Sequence, residues 1–302
     1  MDWVEAGDIA HHMRSRQWDF LVAGDLRSVS GPRSNAVTDA DCEILQLQST
    51  EANGSSRYIL TSGESNAKQE LSWMELRERL SAFGISAVNE CAIDLTSLRF
   101  DSLLYVIRAL QDIGLKSVDL LYLLPMQYDD DPTIEQFGEI KQPKGYVNLV
   151  DSRQLRTQLI FLGFDELRAE RFIHLYDWRL EQIYFVIGDP PTIKDGFERA
   201  YRTLAPETQA FLQAHPEHLL RIDARSVQAA ADVISTMAAR FPQIDLIPLG
   251  PKPWTFAVAA RFLELSRTPT NNLRVLYDYA SRRDGRSTGL QGLVEQRWVL
   301  NV

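Results

Sequence analysis

The chain has 302 residues, of which 45% are hydrophobic and 24% charged, so it is long enough for two domains or for one large α/β domain. Its formal net charge of −9 excludes a general nucleic-acid coat, because such a coat needs a basic surface to displace counterions from phosphates. Two isolated cysteines, no apolar leader and no apolar run of ~20 residues predict a cytoplasmic protein with no membrane partner.

The N-terminal half is predicted to begin with a buried strand at Phe20–Ala23, which a glycine ends. A polar loop rich in serine and arginine follows. Two segments that alternate apolar and polar residues, 42–48 and 58–61, flank the turn-forming pair Asn53-Gly54. This pattern predicts a hairpin at one edge of a mixed sheet. Residues 72–83 have apolar side chains at helical spacing and predict a helix.

The same order of strand, tight loop, helix and strand occurs twice, at residues 93–123 and 247–277. The loop of the first copy reads Asp-Leu-Thr-Ser and that of the second reads Leu-Gly-Pro-Lys, while both second strands carry a tyrosine. Such units form parallel sheets, and open parallel sheets bind ligands just beyond the carboxyl ends of their strands. The repeat therefore predicts two related α/β halves and places the candidate site in the loops after the strands.

A turn-rich segment without periodicity, residues 125–146, divides the two halves. We therefore predict an N-terminal Rossmann-like half at residues 1–143 and a C-terminal one at 144–302. In the second half, predicted strands and helices alternate up to a final strand at 295–302. The predicted fold class is α/β, with two pseudo-repeated Rossmann-like halves, mostly parallel sheets, helices on both faces and the hairpin at one edge.

The loop of the second repeat copy is the strongest candidate for ligand binding. Gly250 allows the backbone to approach a ligand closely, and Pro253 suits the first turn of the helix that follows. The start of that helix offers N–H groups and a positive dipole end, to which Lys252 adds charge. These features predict an anion site, and the alternative is a tight turn with a surface lysine.

Two arginine-rich loops are further candidates for binding the same ligand. One follows the last strand of the second repeat copy and contains Arg282, Arg283 and Arg286. The other follows the first strand and contains Arg27 and Arg33. Guanidinium groups match the geometry of phosphate oxygens, so both loops could hold a phosphate at the carboxyl edge. The alternative for each is a solvated loop.

Polar residues at other strand ends have two interpretations each. Thr96 and Ser97, in the first repeat copy, could bind a ligand but are also common helix caps. Several aspartates could serve as general bases, although helix capping is a simpler explanation for a carboxylate at the start of a helix. These aspartates are Asp25, Asp94, Asp165 and Asp189.

No motif for a metal, a cofactor or a nucleophile is recognisable. His215 and His218 are three positions apart, but no further histidine or cysteine supports them as metal ligands, so a surface pair is expected. The sequence contains no P-loop, no GxSxG elbow, no CxxC and no HExxH. We therefore predict no metal and no cofactor, and we assign no catalytic residue.

The two repeat copies resemble a known class of ligand sensors. Pro248-Leu249-Gly250-Pro251-Lys252, entering an apolar helix and followed by Val275-Leu276-Tyr277, is similar to the Rossmann-like domains called CARF and SAVED. Ile93-Asp94-Leu95-Thr96-Ser97, with its helix and Leu121-Tyr122, resembles the same element. The resemblance implies fused Rossmann-like halves that bind a cyclic nucleotide signal in prokaryotic antiviral defence. Most such sensors carry an effector domain such as a nuclease, and no segment here resembles one, so a protein effector or complex partner is implied.

Three functions are compatible with these features. The first is a binding or sensor protein for a phosphorylated small molecule or cyclic nucleotide. The second is an enzyme that acts on a nucleotide or sugar phosphate with an aspartate as general base. The third is a scaffold subunit of a larger complex, which a large exposed apolar patch would indicate. We take the first as the leading hypothesis.

Overall fold

The structure is a computed structural model, and it describes residues 1–26, 29, 31–49, 57–62, 68–128, 134–147, 155–165, 167–266, 272–279, 281–282 and 287–300. The chain divides into two compact units. The first comprises Met1–Asp130 with Arg283–Val302, and the second comprises Asp131–Arg282. Strands and helices are numbered in chain order.

The strands of the first unit are β1 (Asp2–Glu5), β2 (Phe20–Ala23), β3 (Glu43–Ser49), β4 (Arg57–Ser62), β5 (Lys68–Ser72), β6 (Cys91–Asp94), β7 (Ser117–Leu124), β8 (Gln127–Tyr128), β18 (Ser287–Thr288) and β19 (Gly292–Val299). Among the described residues, eight of them form one sheet in the order β1-β19-β7-β6-β2-β3-β4-β5. The four central strands of this sheet, β7, β6, β2 and β3, are parallel to one another. The outer strands β1, β19, β4 and β5 each pair antiparallel with the strands beside them. The centre of the sheet is thus of the type that helices cover on both faces.

The described helices of the first unit are α1 (Ile9–Ser15), α2 (Gly31–Thr38), α3 (Leu76–Ala82) and α4 (Phe100–Ile113). Leu21 and Ala23 of β2 belong to the core cluster that α1 and α2 form against one face of the sheet. Val22, which alternates with them, is also fully buried, so the opposite face of the strand is covered too. α4 ends at Gly114, whose φ of 89° is a left-handed conformation that glycine adopts without strain.

The strands of the second unit are β9 (Ile134–Gln136), β10 (Ile140–Lys141), β11 (Thr157–Phe161), β12 (Ile183–Gly188), β13 (Leu219–Ile222), β14 (Gln243–Pro248), β15 (Asn272–Val275), β16 (Tyr277–Asp278) and β17 (Ser281–Arg282). In the described part of this unit, five strands form an entirely parallel sheet in the order β13-β12-β11-β14-β15. Counted along the chain, that order is 3-2-1-4-5, which is the order of a Rossmann-like sheet.

The described helices of the second unit are α5 (Arg168–Leu175), α6 (Gly196–Arg202), α7 (Pro206–Ala214), α8 (Val227–Arg240) and α9 (Lys252–Leu265). Phe172 of α5 and Leu212 of α7 pack with Ile160 of β11 in the core on one face. On the opposite face, the ring of Phe161 lies 5.8 Å from that of Trp254 in α9, measured between centroids. The crossover helices therefore cover both faces of the sheet.

α8 shows how local sequence signals set a helix boundary. The hydroxyl of Ser226 accepts a hydrogen bond from the N–H of Ala229 at 3.0 Å, so this residue is the N-cap of α8. None of the described helices combines the length and the apolar character that crossing a bilayer requires. Cys42 is half-buried and Cys91 is buried, and both are free thiols.

The coarse fold class is confirmed, since parallel strands are covered by helices on both faces. β3 and β4 are antiparallel neighbours, but the turn at Asn53-Gly54 lies outside the described residues, so the hairpin stays a prediction. The final strand, expected in the C-terminal half, belongs to the first unit because β19 pairs along its whole length with β7. The compact units therefore do not divide between residues 143 and 144.

Candidate functional site

The carboxyl edge of the five-stranded sheet is the candidate site, because the strand order reverses there. From β11 the chain proceeds to β12 and β13 on one side, and it then returns to form β14 and β15 on the other. The connections that leave β11 and β14 therefore run to opposite faces of the sheet and leave a crevice between them. The described residues that border this crevice are 162–165 and 167, after β11, and 249–251, after β14.

The two loops meet at Gly163 and Leu249. A Cβ atom added to Gly163 would lie 2.3 Å from the carbonyl oxygen of Leu249, so no larger residue fits without a shift of the backbone. The N–H of Leu249 donates to the carbonyl oxygen of Phe161 at 3.1 Å, which continues the pairing of β11 and β14 to the edge. Beside this contact lies a small crevice lined by Leu162, Gly163, Asp165, Arg168, Ala169, Thr203 and Leu249.

Lys252 is the first residue of α9 and is half-buried. A Cβ atom on Gly250 would come within 2.7 Å of the Trp254 ring, so this glycine is required for packing. The N–H groups of Trp254 and Thr255 both donate to the carbonyl oxygen of Pro251 at 3.1 Å, and the two prolines beside Lys252 have no N–H. An anion at this point would therefore depend on Lys252 and on the helix dipole.

Trp254 ties the loop after β13 to the start of α9. Its indole N–H donates to the carbonyl oxygen of Asp223 at 3.1 Å, and its side chain is fully buried. The carboxylate of Asp223 accepts bonds from the backbone N–H, Nε and Nη2 of Arg225 at 2.9, 3.0 and 3.1 Å. The edge that carries Lys252 thus also carries Arg225. Sequence reasoning missed this arginine, although an Asp-x-Arg pattern directly after a predicted strand was the signal.

A buried ion pair forms one wall of the crevice. Arg168, the first residue of α5, is 1% exposed and donates two hydrogen bonds to Asp278, one of them 2.9 Å long from Nε. A third bond, from Nη1 to Asp165, is 3.1 Å long. Burial by itself lowers the pKa of Arg168, but Asp278 and Asp165 raise that pKa above the ordinary value. The guanidinium therefore stays charged, and Asp165 belongs to its network.

The first sheet also has a reversal of strand order, between β2 and β6. There the hydroxyl of Ser97 accepts a bond from the N–H of Gly24 at 2.7 Å and donates to Asp94. The N–H groups of Thr96 and Ser97 also donate to Asp94, and the Thr96 hydroxyl accepts a bond from Leu123 N–H at 3.0 Å. Burial raises the pKa of Asp94. These bonds account for Thr96 and Ser97 without a ligand.

Arg33 has a role inside the first unit. It lies in α2, is 5% exposed, and donates from Nη2 to the hydroxyl and carbonyl oxygens of Ser287 at 2.6 and 3.2 Å. The predicted convergence of the other arginines on Lys252 stays a prediction. Outside the described residues lie the side chain of Arg282 and all of Arg27, Arg283 and Arg286.

Asp25 and Asp189 are the remaining aspartates that follow strands of the two sheets. Asp25 accepts a 3.5 Å bond from the side-chain amide of Gln48. Asp189 follows β12, and its carboxylate lies 3.6 Å from the guanidinium of Arg221. Its side chain is 48% exposed, so solvent screens this pair. The carboxylate of Asp189 is therefore open to solvent rather than enclosed in a site.

His215 and His218 each contact different neighbouring residues. Nδ1 of His218 lies 2.7 Å from the carbonyl oxygen of Ile183, and its ring stacks on Tyr184 with centroids 4.6 Å apart. His215 lies 3.6 Å from Glu217. Across the part of the chain that the structure describes, no group of three His, Cys, Asp or Glu side chains could hold a metal ion.

The chain matches no protein-family model, no curated protein and no solved structure. Its function therefore has to be argued from the chemistry of the carboxyl edge. That edge carries two basic side chains, Lys252 and Arg225, of which Arg225 is bound to the carboxylate of Asp223, and the charges of Asp165 and Arg168 in the crevice are also paired. Such an arrangement suits the binding of an anionic ligand better than proton transfer.

Proposed function

We propose that the protein is a binding or sensor protein for a phosphorylated, nucleotide-like ligand that lies on the carboxyl edge of the five-stranded sheet. The observation that carries this proposal is the contact between Gly163 and Leu249, where the strand order reverses. In open α/β sheets, ligands bind outside the strand ends at such a reversal. The contact supports this position for the ligand, and the neighbouring charges support its anionic chemistry.

Basic groups at the ends of β13 and β14 support an anionic ligand. Lys252 stands at the positive end of the α9 dipole, which favours a phosphate group by electrostatics alone. Arg225 is anchored by Asp223 and keeps about a third of its side chain in water, since that side chain is 32% exposed. Trp254 joins these two loops, so the proposal assigns both basic residues to a single ligand.

The bonding of the aspartates supports binding over catalysis. A general base has to lie within hydrogen-bond reach of the proton that it removes. Asp165 instead accepts a bond from the buried Arg168, and Asp94 accepts bonds from two backbone N–H groups and a hydroxyl. Two alternatives remain: an enzyme that uses one of these aspartates as its base, and a scaffold that binds no small molecule. The experiment below distinguishes both from a binding protein.

We also interpret the two units as copies of one plan, of which the second holds the ligand. The order β7-β6-β2-β3 in the first sheet corresponds to β15-β14-β11-β12 in the second. Gly24 packs on Ser97 in one, as Gly163 packs on Leu249 in the other. In the first unit, Ser97 and Asp94 hydrogen-bond to each other and Ser97 also bonds to Gly24 at the corresponding edge. We therefore propose that the ligand binds the second unit.

The proposal has three further parts: the ligand is a cyclic nucleotide signal, the protein acts in prokaryotic antiviral defence, and its partner is a protein effector. These parts are supported by the resemblance of the two repeat copies to CARF and SAVED domains. Pro248-Leu249-Gly250-Pro251-Lys252 supplies the stronger of those two pieces. The ligand class is the part that a direct binding experiment can test first.

The proposal is tested by thermal unfolding with a panel of nucleoside mono-, di- and triphosphates, cyclic dinucleotides and cyclic oligonucleotides. A ligand at 100 times its dissociation constant stabilises the folded protein by about 2.7 kcal/mol, which raises the melting temperature measurably. Lys252→Ala should weaken the affinity about tenfold, or about 1.4 kcal/mol, because one charge at the phosphate is lost. Lys116→Ala, at an exposed lysine of the first unit, is the matched control and should bind as the wild type does.

Two results would count against binding at this edge. One is a panel in which no phosphorylated compound raises the melting temperature. The other is a ligand that binds Lys252→Ala as tightly as the wild type, which would move the site elsewhere. Conversion of a bound compound to a product, followed by chromatography, would instead favour the enzyme alternative.

A further inference from the structure

Arg221 forms an exposed platform at the outer edge of the five-stranded sheet. It lies in β13, and its guanidinium carbon is 4.7 Å from the centroid of the Phe197 ring in α6. Phe197 is half-buried, and its ring is nearly parallel to that of Tyr201, with an interplanar angle of 5°. More than half of the Arg221 side chain, 57%, is in contact with solvent. A guanidinium is therefore supported by an aromatic ring and still accessible to a ligand.

The ion pair of Arg221 does not explain this arrangement. Asp189 lies 3.6 Å from the guanidinium, which is beyond hydrogen-bond distance, and 48% of its side chain is exposed. Exposed pairs of this kind contribute little to stability. The aromatic contact holds the guanidinium in place, and the carboxylate beside it remains able to accept further hydrogen bonds from a ligand.

The platform lies on the same edge as the candidate site. Arg221 is two residues before Asp223, whose carbonyl oxygen accepts the indole N–H of Trp254 in the first turn of α9. β13 and β14 are three strand spacings apart, which is roughly 14 Å at about 4.8 Å for each spacing. Phe197 packs on the face of the sheet that α5 and α7 cover, whereas α9 covers the opposite face. A nucleotide that reaches from Lys252 to Arg221 therefore has to cross over the strand ends.

We propose that Arg221 stacks on the planar base of the ligand, with Asp189 accepting hydrogen bonds from the base or from its ribose. An arginine guanidinium is planar, stacks on bases and donates in its own plane, whereas lysine is a point charge that cannot stack. Support by the Phe197 ring means that little side-chain freedom is lost on binding. This inference rests on the proposed function, because it assigns the second contact of the same ligand.

The test compares nucleoside 5′-monophosphates with ribose 5-phosphate, which lacks the base, by calorimetry on the whole chain. The wild type should bind the nucleotide about tenfold or more tightly than ribose 5-phosphate, since stacking of a base on a side chain has an effect of that order. Arg221→Lys keeps the charge but should abolish the preference while leaving the affinity for ribose 5-phosphate unchanged. Arg202→Lys, at an exposed arginine of α6, is the matched control and should keep the preference.

A second variant tests the same assignment at an exposed residue whose substitution should not disturb folding. Asp189→Asn alters an exposed side chain and should reduce the preference for nucleotides several-fold without moving the melting temperature of the ligand-free protein. Equal binding of both probes to the wild type, or an unchanged preference in Arg221→Lys, would overturn the assignment of Arg221 and leave the proposed function intact. Binding of neither probe would also overturn the assignment of Arg221, and the nucleotide panel described above decides separately whether the proposed function fails.

Discussion

The backbone N–H of Gly24 donates to the hydroxyl of Ser97 at 2.7 Å, and a Cβ atom on Gly24 would lie only 2.3 Å from the Ser97 carbonyl oxygen. Gly163 and Leu249 are related in the same way in the second unit, where the corresponding distance is also 2.3 Å. In both sheets, the loop after one strand is pressed against the loop after its parallel neighbour. Glycine is required because any side chain would meet backbone atoms, which cannot move aside as a flexible side chain can.

Replacing either glycine should therefore destabilise its unit. Gly24→Ala and Gly163→Ala should each lower the free energy of unfolding by about 1–3 kcal/mol, because overpacking forces a shift of the backbone. Gly7→Ala is the control, since nothing lies within 4 Å of its added Cβ, and it should change stability by less than about 0.5 kcal/mol. Urea denaturation of the three variants measures the effect. Equal stability of Gly163→Ala and the wild type would contradict the close packing of the two loops.

The pairing of Arg168 with Asp278 predicts a large effect of a small substitution. Both side chains are 1% exposed, so Asp278→Asn leaves a buried guanidinium without its main counter-charge. Breaking a buried pair in this way costs about 3–5 kcal/mol. Asp189→Asn removes the exposed partner of Arg221 and should cost less than about 1 kcal/mol. Thermal unfolding of both variants gives the comparison, and similar melting temperatures would show that Asp165 alone neutralises Arg168.

The buried carboxyl of Asp94 predicts a pH dependence of stability. Burial raises its pKa in the folded protein, although bonds from Ser97 and Thr96 act in the opposite direction. The folded state therefore keeps this proton to a higher pH than the unfolded chain, whose aspartates titrate near about 3.9. The resulting stabilisation is complete below the unfolded pKa and is lost as the pH rises through the folded pKa.

Asp94→Asn isolates this contribution, because asparagine does not titrate. The melting temperature of the wild type relative to the variant should be highest at low pH and should fall as the pH rises towards neutrality. Unfolding followed by circular dichroism from about pH 3.5 to 7 measures the difference between the two proteins. A difference that stays constant over this range would mean that the carboxyl of Asp94 has the same pKa in both states.

Several boundaries follow from local signals in the sequence. The helix that the first repeat copy predicts within residues 93–123 is α4, and Ser226 caps the start of α8. Apolar spacing, a capping hydroxyl and a terminal glycine act within one or two turns, so a single segment contains them. The bonding of Thr96 and Ser97 to Asp94 is equally local, but the prediction that these residues cap the next helix is wrong, because the N-cap of α4 is Arg99.

The sequence predicted which strand pairs with which less well than it predicted the boundaries of helices. β19 reads as a final strand, but nothing within residues 292–299 indicates that it pairs with β7, which lies far away in the chain. Arg225 likewise reads as an ordinary charged residue until the indole of Trp254 joins its loop to the start of α9. Both relationships connect segments that no periodicity links.

The sequence by itself determined that this is an α/β protein and identified several of its strands and helices, but the polar loop that it predicted after β2 is wrong in part, because residues 31–38 form α2. The tertiary structure alone decided the strand order, the place where that order reverses, and the contact of Gly163 with Leu249 at that place. The physical reason is that apolar periodicity specifies which face of a segment is buried but not which distant segment buries it. Strand partners are selected by packing over the whole core, and the candidate site lies where two such partners meet.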